Sequence, residues 1–388
     1  SSSEDKFIET HDTSITIYEE EPAGSGRSAT TRAPKPVVFE KTITYKARIL
    51  PVTVDGLLVQ ANDVVINGYR AYIAYNYAGD LFKGAIQIVD ISNPGVPEII
   101  TELKFSSMDI NTVQLVSNQL YFGGQADPDL YGFRSFIGVI DTTKLTNLDL
   151  NSIVQSIIGL KSYATTAITD QGNEIYVGVG AKNGYIQVLN NGTLEVTKDM
   201  IIPDVRDVQK YQNGIVAIAG TTDNSQTKGR ILIYHANNLD NPVVMEIPDF
   251  ASPYHKSTIE MYNAKYAFLG LAEAGLKVLD ITSNEENSQI VFELQNPAVS
   301  YTTKTNTNSV TTDSAYIFSA NGEYGFRVLR VLNMSGKDST FAEIVGYYPF
   351  EGLKAADGKP YSANHIDFKA NHLFVASGAG GVNIYYLQ

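Results

Sequence analysis

Four side chains able to bind or move protons stand close to one recurring position of the chain: Arg206, His255, Lys256 and His365. Counted back from a repeated aromatic residue, that position is occupied by Asn62, Asn111, Thr166, Asp207, Thr258, Asn306 and Asn364. A ring of small hydrogen-bonding residues at one repeat position describes a polar mouth to a channel. The plainer role is turn formation, because Asn, Asp and Thr at strand starts bond neighbouring backbone groups. His365 with Asp367 offers an acid–base pair, since residues two apart on a strand share a face. The catalytic candidates are therefore His365, His255 and Asp207. The ligand-binding candidates at the mouth are Asn62, Asn111, Arg206 and Asn364.

A second set lies on loops of unequal length, Tyr75 to Lys83, Gly124 to Arg134 and Thr221 to Lys228. The first two carry Tyr75, Tyr77, Phe82, Tyr131, Phe133 and Arg134, with Asp127 and Asp129 beside them. Rings for stacking beside charged groups for orientation suit a sugar or a peptide. Rings that merely pack the loops down explain the same composition. Asp127 and Asp129 are the candidates for a metal, although paired acids in a hairpin are more often solvated.

Other chemistries lack their signatures. There is no His-Glu-x-x-His, no Gly-x-Ser-x-Gly, no phosphate-cradling glycine loop and no EF-hand loop. With no Cys, disulfides, thiol nucleophiles and Cys-ligated zinc are excluded, and with no Trp neither WD repeats nor Trp-ended aspartate boxes can occur. The 42 acidic and 29 basic residues leave a net charge of -13, which disfavours nucleic acid and anionic membrane as partners. The longest apolar runs are strand-sized, too short for a transmembrane helix.

The elements that must position these residues come from a repeat. An apolar segment around an aromatic is followed by a Gly-led strand: Ala71-Tyr72-Ile73-Ala74 with Gly84 to Ile91, Leu120-Tyr121-Phe122-Gly123 with Ser135 to Asp141, and Ile175-Tyr176-Val177-Gly178 with Gly184 to Leu189. Further copies are Val216-Ala217-Ile218-Ala219, Ala267-Phe268-Leu269-Gly270, Ala315-Tyr316-Ile317-Phe318 and Leu373-Phe374-Val375-Ala376, each with its own following strand. With a strand before and another after, each copy holds four short strands, and this predicts an all-β, seven-bladed β-propeller. The last copy ends at Gln388 after its third strand, so Val37 to Tyr45 is expected to supply the fourth and close the ring. Residues 1–36 then read as tail and linker, with Glu19 to Pro36 the linker and Ser14 to Tyr18 either a docked strand or part of a tether. Residues 37–388 read as the propeller.

At these strands the chain resembles the LVIVD-repeat family of bacterial propellers, best in Ile86-Gln87-Ile88-Val89-Asp90-Ile91-Ser92-Asn93-Pro94 and in Lys277-Val278-Leu279-Asp280-Ile281. The resemblance covers about residues 60 to 388 and implies an exported or surface-associated protein without an assigned reaction. The opening Ser-Ser-Ser-Glu-Asp-Lys is similar to the segment after the lipidated cysteine of bacterial surface lipoproteins, although that cysteine is not in the sequence. The expectation is a monomeric, non-catalytic binding or scaffolding propeller, with no cofactor, that recognises a glycan or protein at the channel mouth. The alternative is a hydrolase or lyase acting there on a polysaccharide or ester.

Overall fold

The computed structural model describes residues 7–20, 33–145, 154–180, 182–221, 228–250, 255–282, 284–298 and 305–388. Most of the predicted linker, 21–32, and most of the loop from Thr221 to Lys228 lie outside the described residues, as does the Ser-rich start. What is described is all-β, in antiparallel sheets that are mostly four-stranded, with one helical turn at Pro128–Tyr131 and three 3-10 turns. Five four-stranded sheets stand alone, and two further arrays are joined into one nine-stranded sheet by the single pair Gly378↔Ala61.

Seven strands lie side by side at one end of these arrays: β1 (Gln60–Asn67), β2 (Met108–Val116), β3 (Ala164–Gln171), β4 (Val205–Tyr211), β5 (Thr258–Tyr262), β6 (Ser309–Thr312) and β7 (Tyr361–Lys369). The apolar faces of neighbouring arrays pack on each other. Tyr72, Ile86 and Ile88 of one meet Val113, Leu120 and Phe122 of the next, and Tyr211, Ile231 and Ile233 meet Ile259 and Leu269. The core is therefore distributed between sheets, as a chain of 388 residues made of small repeats requires.

A recurrent β-bulge fixes the register of the repeat. Between the third and fourth strands one extra residue is inserted at Ile100, Gln155, Thr197, Val291 and Val345. The same bulge recurs where Ile43–Ile49 pairs with Val382–Leu387, with Lys46 the extra residue. That strand starts later than the expected Val37 to Tyr45. Val38 is 98% exposed, and Glu40 turns away to bond Arg330 and the Tyr316 hydroxyl on another sheet.

Residues 8–20 are more than a tail. Ile8–Ile15 pairs antiparallel with Ile43–Ile49, and His11 stacks on Tyr45 at 4.2 Å. Tyr18 then forms a bridge with Tyr347, and Glu20 holds the buried Arg327 through two hydrogen bonds of 2.5 and 2.7 Å. Of the two expectations for Ser14 to Tyr18, the docked segment is the one found.

Candidate functional site

The strands β1 to β5 and β7 surround a cavity of about 670 Å³. Its geometry follows from what strand edges need. An unpaired edge leaves backbone N–H and C=O groups bare, and buried ones must find partners. Here the partners are side chains of the adjoining sheet. Asn62 Nδ2 donates to Asn111 O at 2.8 Å, Asn111 Nδ2 to Thr165 O at 3.5 Å and Thr166 Oγ1 to Val205 O at 3.2 Å. Asn308 Nδ2 donates to Ala363 O at 2.9 Å and Asn364 Nδ2 to Ala61 O at 3.2 Å. Asn62, Asn111, Thr166 and Arg206 are the extra residues of β-bulges against the second strand, which aims them sideways out of their own ladders.

The polar positions do bond from one inner strand to the next, but their register changes in three repeats. Asp207 pairs with Ile218 as Asp63 pairs with Ala74, so Arg206 rather than Asp207 is the counterpart of Asn62. By the same pairing the counterparts in β5 and β6 are Ser257 and Asn308, not Thr258 and Asn306. In β5 the turn to the second strand, Tyr262↔Tyr266, is one residue longer than Asn67↔Arg70, and in the other two repeats the residue counted from, Ala217 or Tyr316, stands one or two places from the counterpart of Tyr72.

One position deeper, carboxylates brace the next sheet. Asp63 Oδ2 accepts from Val113 N at 3.2 Å and Asp207 Oδ2 from Ile259 N at 2.6 Å, while Asp367 Oδ2, further along β7, accepts from Ile66 N at 3.0 Å. Burial pushes the Asp207 carboxyl up to about 7 despite these bonds, and raises Asp367 and Glu260, each of which feels neighbouring carboxylates as well. Lys256 is lowered by desolvation, although Asp63 at 3.9 Å and the carbonyl of Asn62 attend it. His365 is held down to about 4 by burial, hence neutral; its Nδ1 lies 3.1 Å from Asp63 Oδ1, at an angle too poor for a hydrogen bond.

The structure thus gathers Asn62, Asn111, Arg206, Asp207, His255, Lys256, His365 and Asp367 around one cavity. It does not gather the expected catalytic groups into a working set. Asp207 is spent on the N–H groups of Val208 and Ile259, and His255 contacts Glu273 and Asn306 at the surface. His365 faces Asp63, which the sequence reading passed over, and not Asp367. Asn364 contributes to the belt without lining the cavity, and Arg206 is buried against Asp204 and the Phe250 ring.

The loop aromatics are placed otherwise than expected. Tyr75 is fully buried, its hydroxyl donated to Gln87 at 2.6 Å, so it is a core residue and not a rim residue. Tyr77 packs on the core beneath β1, and Lys359 sits 5.7 Å over its ring. Phe82 and Arg134 stack at 5.3 Å, and Phe133 lies against Tyr131 and the backbone of Gly159. Only Tyr131, 43% exposed, is open to solvent, and none of these six lines the cavity. Asp127 caps the turn Pro128–Tyr131 by accepting from Asp129 N, and among the described residues no cluster of three acids or histidines is placed to hold a metal. The residue missed at the mouth is Tyr163, which lines the cavity and carries Arg134 flat against its ring at 3.6 Å.

These features define an all-β protein of β-propeller-like fold. No family model and no curated protein matches the chain. Among solved structures it is similar to one described as "Structure of U3-55K", with a TM-score of 0.60 at 9% identity over 86% of this chain and 97% of that one. It is also similar to the computationally designed Ika8 protein, with a TM-score of 0.49 at 12% identity over 87% of this chain and 99% of that one. At this identity the first likeness speaks to fold alone.

Proposed function

We propose that the arrays are the seven blades of a propeller of the LVIVD-repeat kind, closed by Ile43–Ile49, and that its central channel binds a small polar ligand without chemical change. The cavity of about 670 Å³, walled by amides, hydroxyls and carboxylates from six inner strands, carries this reading. The groups that line it are mostly occupied in joining one sheet to the next, which favours a rigid receptor over a reactive centre. Closure is supported by the repeat of the β-bulge at Lys46 and by the belt returning from Asn364 to Ala61. A place on an exported or surface protein is part of the same proposal and rests on the family resemblance.

Gln114→Trp and Gln209→Trp each put an indole into the channel from β2 or β4. Small molecules that raise the melting temperature of the wild-type protein are expected to bind both variants at least about tenfold more weakly, a loss of about 1.4 kcal/mol. A ligand that both variants hold as tightly as wild type sits outside the channel and sinks the proposal.

A second reading, a hydrolase or lyase, is favoured by one observation: neutral His365 beside Asp63, with Lys256 at 3.9 Å from the same carboxylate. A neutral imidazole beside a carboxylate can accept a proton. Turnover of nitrophenyl esters or of polysaccharide fragments that disappears in His365→Asn would establish it; equal rates in both proteins would remove it.

A further inference from the structure

We infer that the channel takes a pyranose ring stacked on Tyr163, so that its ligand is the end of a glycan. The inference rests on the channel-binding reading and gives that ligand a class. Tyr163 stands at the mouth between the strand Val154–Leu160 and β3, 42% exposed and part of the cavity wall. Its orientation is built. Ser162 before it adopts φ +66°, a left-handed backbone that a residue other than Gly seldom takes, and its hydroxyl donates to Gly180 O at 2.5 Å. Lys161 before that donates its backbone N–H to Gln187 Oε1 at 2.7 Å.

Arg134 lies over the Tyr163 ring at 3.6 Å and donates to its hydroxyl at 2.5 Å, while Phe82 supports Arg134 at 5.3 Å. Among the described residues no ring or second cation covers the other face of Tyr163. A cation already over one face draws on the ring's quadrupole, which disfavours a second cation opposite and leaves the surface for a neutral ring.

The neighbouring polar groups choose between an aromatic and a sugar. A flat aromatic ligand asks for few hydrogen bonds, whereas each sugar hydroxyl both donates and accepts. Gln125 and Glu260 line the cavity and, among the described residues, make no side-chain hydrogen bond. Gln114 and Gln209 line it too and have only long contacts of 3.5 Å. Gln125 leaves an unused amide at the Tyr163 end, and Gln114, Gln209 and Glu260 lie deeper along β2, β4 and β5, which matches a polyhydroxylated glycan end reaching down the cavity from a ring stacked on Tyr163.

The probes are an array of oligosaccharides ending in glucose, galactose, mannose or N-acetylhexosamine, followed by calorimetry, with nucleosides, aromatic acids and diamines run in parallel. At least one pyranoside is expected to bind. Tyr163→Ala should weaken it about tenfold or more, Tyr163→Phe should stay within about threefold, and Gln125→Leu should cost about threefold while leaving the ring in place. Tyr163→Phe and Gln125→Leu keep the test alive if Tyr163→Ala does not fold. A nucleoside or diamine that binds and is excluded by Gln114→Trp, with no pyranoside binding, overturns this inference and leaves the channel reading standing. A pyranoside bound equally by wild type and Tyr163→Ala also overturns it. Binding by none of the probes overturns both.

Discussion

The inner and outer edges of the sheets face the same difficulty and meet it by different means. At the inner edge the bare N–H groups of one strand are taken by side chains of its neighbour: Val113 by Asp63, Lys210 by Thr169, Ile259 by Asp207, Ile366 by Ser309 and Ile66 by Asp367. At the outer edge the work is done by chain. Ile8–Ile15 covers Ile43–Ile49, and Tyr18 exchanges two backbone hydrogen bonds of 2.9 Å with Tyr347. The difference matters for function. Side-chain braces need polar residues at the inner edge, so the inner solution lines a cavity with hydrogen-bonding groups, whereas the outer solution, done by backbone, does not. A polar cavity is in part a consequence of how the sheets are joined, and under the proposed binding function the groups not used in joining are the ones to examine.

The outer strap is the place where a single change should cost most. Arg327 is 2% exposed, and Glu20 answers its charge from the strap, with Gln295 O as a further acceptor. Removing one partner leaves a buried charge uncompensated, a loss of about 3 kcal/mol or more. Glu20→Ala is therefore expected to lower the urea midpoint strongly, and Glu20→Met with Arg327→Met to recover most of the loss. A Glu20→Ala protein within about 1 kcal/mol of wild type would show that the strap is dispensable, and the contrast between the two edges would collapse.

At the inner edge the expected effects are smaller and graded by charge. Asp207→Ala strips partners from the N–H groups of Val208 and Ile259 and should cost about 2 kcal/mol. Ser309→Ala removes one neutral acceptor from Ile366 N and should cost about 1 kcal/mol. Equal losses in the two variants, read by denaturant unfolding, would mean that the braces act by filling space and not by hydrogen bonding.

The sheet pattern was legible because each copy carries the same apolar alternation, and a strand buried against its neighbours on both faces shows it plainly, as in Ile86 to Ile91. The strand at Ile43–Ile49 was half legible: the strand character of Val37 to Tyr45 is plain in the sequence, but its start depends on Glu40 being drawn to Arg330, a contact 290 residues away in the chain. Tyr75 and Tyr131 look alike in sequence, both on long loops beside polar residues, and only packing separates a core hydroxyl bonded to Gln87 from an exposed ring. Tyr163 carried no signal, because its platform is made by Arg134 from the preceding repeat and by a left-handed Ser162.

Among the inner polar groups, Glu260 tests whether a side chain is brace or spare. Its side chain makes no hydrogen bond among the described residues, and burial with Asp367 and Asp207 nearby raises its carboxyl to about 8. A group raised in the folded state contributes its stability below the unfolded value, and that contribution is lost as pH rises through the folded one. His365, lowered to about 4 from 6.5, acts oppositely but only between those two values, and above 6.5 it adds no slope. Lys256, lowered by burial, opposes the loss at higher pH, so the informative quantity is the difference between wild type and variant. Glu260→Gln keeps the shape and removes the titration. Relative to wild type it should be near neutral at pH 5.5 and more stable by about 1 kcal/mol at pH 8.5, in unfolding curves collected across that window. A brace would behave differently, with the variant losing stability at every pH. That outcome would move Glu260 into the company of Asp63 and Asp207, and leave Gln125, Gln114 and Gln209 as the spare polar groups of the cavity.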